Sequence, residues 1–216
     1  MMPIMIGMKV DRPTHDAHGA ALLAAGAKLF RARGLESVRV ADVAAAAGLT
    51  HGAFYGHFAS KSALAEASCR SGLAEGEQRW RRRVARAQAD GRDPVAALID
   101  AYLTERHRDA PAEGCVIGAL GPDVFRADAA LRAALAEGTA SLLAILAAEI
   151  LAAHPKATPE QARKAALATF AAMLGGLELA RALAPDADAS SRALTAAARL
   201  ARQAAQPLSD EAPHAG

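Results

Sequence analysis

Between residues 48 and 61 the chain carries side chains suited to non-covalent recognition rather than to bond making. His51, Gly52, Tyr55 and Gly56 fall around one side of a short helical stretch, and Phe54 and Phe58, four apart, mark the other side as the buried one. An imidazole and a phenol can hydrogen-bond to base edges or phosphates, and small residues at 52, 53 and 56 let the backbone approach a large partner closely. Thr50 stands where an N-cap is wanted, and Gly48 before it tolerates the positive φ of a tight turn. Upstream, Val40, Val43, Ala44 and Ala47 keep helical spacing over two turns. Two short helices joined at Gly48, the second capped, predict a helix-turn-helix over residues 40–58. In that motif the second helix enters the major groove of DNA and its first residues reach base edges.

A second group lies downstream. Trp80, Tyr102, Cys115, Phe125, Phe170 and Met173 are the large or polarisable residues of an alanine-rich region. Each is a candidate for lining a small-molecule (effector) cavity, and each also reads as plain core. Trp80 must bury its ring, either in the core or in a cavity wall. Cys115, beside Gly114 near the start of a short helix, is a candidate reactive thiol; a buried, inert thiol is the plainer reading. Arg79, Arg82, Arg83 and Arg86 recur at i, i+3, i+4 and i+7 and form one stripe. It reads first as a solvated face, and second as an attractor of DNA or of an acidic ligand.

Other chemistries find no foothold in the sequence. The histidines do not cluster with Cys, Asp or Glu at metal-ligand spacing. There is no phosphate-binding glycine loop, no GxSxG elbow and no HExxH. The sequence therefore predicts no enzyme, no cofactor and no metal.

The elements that must hold these residues are helical throughout. Of 216 residues 52% are hydrophobic but only 4% aromatic, so alanine supplies much of the apolar count, and strand-like alternation is absent. Residues 1–92 carry 14 Lys and Arg against 8 Asp and Glu, and residues 93–216 carry 11 against 15, a basic front and an acidic back. The two cysteines, Cys69 and Cys115, make a disulfide framework improbable. With no signal peptide in MMPIMIGMKV and no uninterrupted apolar run of membrane-spanning length, the expectation is a soluble cytoplasmic protein.

Punctuation divides the chain further. Pro3, Gly7 and Pro13 predict a flexible arm over 1–16, followed by a helix to about Arg33 with Leu22, Ala25, Gly26, Leu29 and Phe30 on one face. Gly34 is the expected left-handed cap. Ser60 can cap a long helix from Lys61, Asp93-Pro94 opens another through Leu98 and Tyr102, and 110–121 reads as a broken linker or short helix. Long helices over 128–153, from the capping box Thr158-Pro159-Glu160-Gln161 to about Leu183, and over 187–205 complete about nine helices. The tail 207–216 reads as disordered.

The order Leu22-Leu23, Leu29-Phe30, Gly34, then Val43-Ala44, Ala47-Gly48-Leu49-Thr50, Phe54-Tyr55, His57-Phe58, Ser60-Lys61 and Leu64 resembles the tetracycline-repressor (TetR) family. The match covers about residues 18–67; the remaining helices fit the family in number and length. The resemblance implies an all-α protein with a three-helix DNA-binding domain at 17–67 and a helical effector-binding and dimerisation domain at 68–206. It implies a homodimer through the last two long helices, bound to a palindromic double-stranded operator and released by an unknown small molecule. Carried over by position, base-edge or nearby contacts fall to His51, Gly52, Ala53 and Tyr55, and phosphate contacts to Thr50, Tyr55, His57 and Lys61. The family's usual Ser or Thr at the first short helix is replaced by Val38-Arg39-Val40, where Arg39 is either a substitute phosphate contact or simply an exposed side chain. The alternative on the same scaffold is a thiol-based redox or electrophile sensor using Cys115.

Overall fold

The computed structural model describes residues 12–207, apart from the side chains of Pro122, Val124 and Phe125. Ten α-helices and no strand occur among the described residues. They are α1 (Arg12–Arg33), α2 (Val40–Ala46), α3 (His51–Phe54), α4 (Lys61–Ala89), α5 (Pro94–Tyr102), α6 (Glu105–Asp109), α7 (Val116–Leu120), α8 (Ala129–Ala153), α9 (Pro159–Ala182) and α10 (Ala187–Ala204). Single 3-10 stretches at Pro111–Glu113 and Gly121–Arg126 flank α7.

Helix starts follow local chemistry. The side chains of Thr50, Ser60, Asp93, Thr104, Asp128, Thr158 and Asp186 each accept a hydrogen bond from a backbone N–H in the first turn of the helix they precede. At Thr158 the capping box is complete, with Gln161 returning a bond to the Thr158 N–H. Gly34 and Gly48 take φ of 77° and 70° and turn the chain out of α1 and α2.

One expectation needs correction. The helix expected from residue 17 already runs from Arg12, because Pro13 is compatible with a first helical turn, where its missing N–H has no intrahelical partner. Residues 1–11 and 208–216, the remainder of the expected arm and tail, lie outside the described residues. The ten helices agree with the about nine expected, and α6, capped by Thr104, is the short one between α5 and the 3-10 stretch.

Two buried clusters organise the molecule. One joins Leu22, Phe30, Val38, Val43, Phe54 and Leu64 to Leu73, Val116, Leu120 and Leu135. The motif over 17–67 therefore does not close its own core; α4, α7 and the start of α8 finish it. The other cluster gathers Leu98, Ile99, Tyr102, Leu146, Ile150, Phe170, Met173 and Leu177 from α5, α8 and α9. Helix α4, at 29 residues roughly 43 Å long, belongs to both.

Windows of α8 and α9 reach mean hydropathies of 1.7 and 1.3, enough by length and composition for a membrane-crossing helix. Leu142, Ile145, Leu146 and Ile150 of α8 are instead buried against neighbouring helices. On α9, Gly176 lets α10 approach so closely that a Cβ there would overlap the Ala197 methyl. The far side of α9 presents Leu167, Ala171, Gly175 and Leu179 at successive i+4 positions, all exposed.

Candidate functional site

Phe54, wholly buried, anchors α3, and its ring lies 5.8 Å from that of Phe58. The helix is only four residues long, yet bonds from the His57 and Phe58 N–H groups to the Phe54 carbonyl carry the turn onward. His51, Gly52 and Tyr55 are exposed, with Tyr55 at 53%. The Tyr55 ring is steadied by edge contacts to Phe54 at 5.2 Å and His51 at 5.4 Å, so its hydroxyl projects from a held ring. The Thr50 hydroxyl oxygen accepts from the Ala53 N–H at 3.2 Å, which leaves its own proton free to donate. Ala53 is half-buried.

The remaining candidates of the reading face are partly engaged within the chain. Lys61 donates from Nζ to the Leu35 carbonyl at 2.9 Å, tying the start of α4 to the turn after α1. Two of its three ammonium protons stay available. The His57 ring sits 4.1 Å from that of His15 on α1, and burial, then the His15 and His18 charges, lower its pKa. Arg39 has no acceptor with which to cap α2; instead the Asp42 carboxylate accepts from the Arg39 N–H at 2.9 Å. That bond, with the Arg39 guanidinium nearby, lowers the Asp42 pKa. The Arg39 side chain remains 82% exposed.

A cavity of about 360 Å³ opens among α4, α5, α6 and the 110–116 segment. Trp80, Tyr102 and Cys115 line it, together with Leu98, His107 and Leu142. Phe170 and Met173 do not. They are buried behind the wall, with Phe170 meeting Trp80 edge-on at 5.8 Å and Tyr102 at 6.1 Å. They support the cavity as core because α9 presents them to α5 and α4, one layer back. The Phe125 side chain lies outside the described residues.

His107, unremarked in the sequence, is the best-held polar group of the wall. Its Nδ1 lies 2.7 Å from the Tyr102 carbonyl, and its Nε2 accepts from the Cys115 N–H at 2.9 Å. A carbonyl must receive a proton and an N–H must give one, so the ring is the neutral Nδ1–H tautomer. Burial is the main reason its pKa is lowered; Arg181 and Arg79 add to that, against the Tyr102 carbonyl. Arg181 of α9 pins α6 from outside by donating to the His107 and Arg108 carbonyls. The Tyr102 hydroxyl is buried without a hydrogen-bond partner, beside the Cys115 thiol. Burial raises its pKa well above the ordinary value. The other thiol, Cys69, is buried and pushed up to about 12.

A further residue that sequence reasoning missed, Arg31, bonds the reading head to the segment beside the cavity. Arg31 on α1 donates from Nε to the Ala112 carbonyl at 2.7 Å, in the 3-10 stretch beside the cavity. An 81-residue separation leaves no local pattern for it.

Residues 22–68 match the family model described as bacterial regulatory proteins, tetR family. No curated protein matches the chain. Among solved structures, a TetR transcriptional regulator from Chloroflexus aurantiacus is 23% identical with a TM-score of 0.71, covering 88% of this chain and 97% of its own. Escherichia coli NemR in its reduced form is 21% identical with a TM-score of 0.70, covering 85% and 96%. A TetR-family regulator from Agrobacterium tumefaciens is 20% identical with a TM-score of 0.70, covering 88% and 98%. These likenesses establish a shared fold along nearly the whole of each relative. Residues 22–68 thus carry the DNA-binding segment of bacterial regulatory proteins of the tetR family, in a chain whose all-helical fold is that of solved TetR-family regulators.

Proposed function

We propose that this regulator is a cytoplasmic homodimeric repressor, released from a palindromic operator by a small molecule bound in the cavity of α4, α5 and α6. The observation that carries the reading is the Arg31 bond to Ala112, which joins the helix supporting α3 to the cavity rim. A ligand that shifts the 110–116 segment thereby acts on α1. The coupling required is modest, typically 1–3 kcal/mol. His51, Gly52, Ala53 and Tyr55 read or adjoin base edges, and Thr50, Tyr55, His57, Lys61 and Arg39 meet phosphates. The exposed row Leu167, Ala171, Gly175 and Leu179 on α9, with Leu200 on α10, supports dimerisation there, since burying it would remove apolar surface from water. A dimer spaces two copies of α3 about one DNA turn apart. The test is fluorescence anisotropy with DNA flanking the chain's own gene. Sequence-specific, salt-sensitive binding by a dimer is expected; its absence overturns the reading.

A second reading keeps the head and replaces the ligand by thiol chemistry at Cys115. It is favoured by one contrast: Cys115 lines the cavity, whereas Cys69 is buried with a pKa raised to about 12. The similar protein NemR is described in a reduced form. Under this reading Cys115→Ser abolishes DNA release by an electrophile such as N-ethylmaleimide; release retained in that variant excludes it.

A further inference from the structure

The cavity continues into an open groove of about 740 Å³ that shares Arg79, Arg83, Ala101 and Arg106 with it. Six arginines line the groove: Arg79, Arg82, Arg83, Arg86, Arg92 and Arg106. Asp100 is the one acid among its lining residues, and it is already ion-paired with Arg202. Arg82 and Arg83 have no ion-pair partner among the described residues. Arg79 pairs with Glu75, Arg86 and Arg92 with Asp90, and Arg106 with Glu113, so the uncompensated positive charge of the groove is that of Arg82 and Arg83.

Two features decide what kind of anion. Arg79 to Arg86 extends roughly 10 Å along α4, several times the width of a carboxylate and comparable with a chain of phosphates. Yet the groove ends in a cavity walled by Trp80, Leu98 and Leu142 and more than twice the ~150 Å³ that holds a benzene ring. Tyr102 lines the cavity, and its hydroxyl is buried beside the Cys115 thiol with no oxygen or nitrogen partner. Operator DNA is a poor occupant, since Arg79 lies 18 residues and roughly 27 Å along α4 from Lys61.

Resting on the reading of the cavity as an effector site, we propose that cavity and groove together take an amphiphile with a short acyl or aryl body and a polyphosphate head. The body fills the cavity, its carbonyl meets Tyr102, and the phosphates lie on Arg82 and Arg83.

Calorimetric titration of the intact protein tests this with octanoyl-coenzyme A and phenylacetyl-coenzyme A, against free coenzyme A, octanoate and phenylacetate. At least one thioester is expected to bind tenfold or more tighter than its acid and than free coenzyme A. The double variant Arg82→Ala, Arg83→Ala, at two exposed positions, is expected to weaken the thioester at least tenfold and by a larger factor than it weakens the free acid. Neither thioester exceeding its acid tenfold, or an unchanged affinity in the double variant, overturns the proposal. DNA anisotropy read in parallel separates the two claims. Tight thioester binding without DNA release upholds the ligand class and sinks effector release, whereas release by the free acids alone does the reverse.

Discussion

Arg31 and Ala112 stand on either side of the line between reading head and cavity, and the 2.7 Å bond from the arginine Nε to the alanine carbonyl crosses it. The guanidinium is half-buried, and that burial lowers its pKa. Burial therefore gives the bond more weight than an exposed contact. The same head is completed by Val116 and Leu120 of α7, so a displacement around the cavity reaches α1 through packing as well as through this bond.

Arg31→Ala removes the donor and leaves a part-buried carbonyl without a partner. Stability is expected to fall by about 1–3 kcal/mol. Urea unfolding checks this, with a lower midpoint at an unchanged slope.

Tyr55 and Lys61 separate by a measurement of fold and function together. Tyr55 is exposed and makes no described hydrogen bond, so Tyr55→Phe should leave the unfolding midpoint unchanged while weakening DNA binding about two- to tenfold, the loss of one hydrogen bond. Lys61 also holds the Leu35 carbonyl, so Lys61→Ala should lower both stability and DNA affinity. It should also reduce the salt slope of binding by about one. A Lys61→Ala protein with an unchanged salt slope would remove Lys61 from the phosphate contacts.

His107 predicts a loss of stability on acidification. Its pKa is lowered on folding from the ordinary 6.5, so below 6.5 the unfolded chain takes up a proton that the folded chain refuses. The stabilisation is complete above pH 6.5 and declines as pH falls from there towards the folded value. His57 acts in the same direction. Urea midpoints at pH 7.5, 6.5 and 5.5 should fall in that order, and less steeply in His107→Gln. An equal slope in the variant would assign the effect to His57.

The two thiols should differ in accessibility. N-ethylmaleimide followed by peptide mass spectrometry is expected to modify half-buried Cys115 in the native protein and Cys69 only after unfolding. Early labelling of Cys69 would show that the α1–α4 packing opens readily.

The sequence by itself determined what depends on near neighbours along the chain. The caps at Thr50, Ser60, Asp93 and Thr158 act within three residues, and Gly34 and Gly48 need only their own φ, so helix starts and turns were readable. The spacing of Phe54 and Phe58 likewise fixed which side of α3 faces inward. Only the tertiary structure decided where those helices meet. It placed Trp80, Tyr102 and Cys115 on one cavity and Phe170 and Met173 behind it, although all five are equally apolar or polarisable in sequence. It brought Arg92 and Arg106 to the stripe read on α4, turning a solvated face into one wall of a groove. His107 and Arg31 acquired their roles from partners that include backbone carbonyls. A carbonyl carries no residue identity, so no pattern of side chains could have announced those bonds before the helices packed.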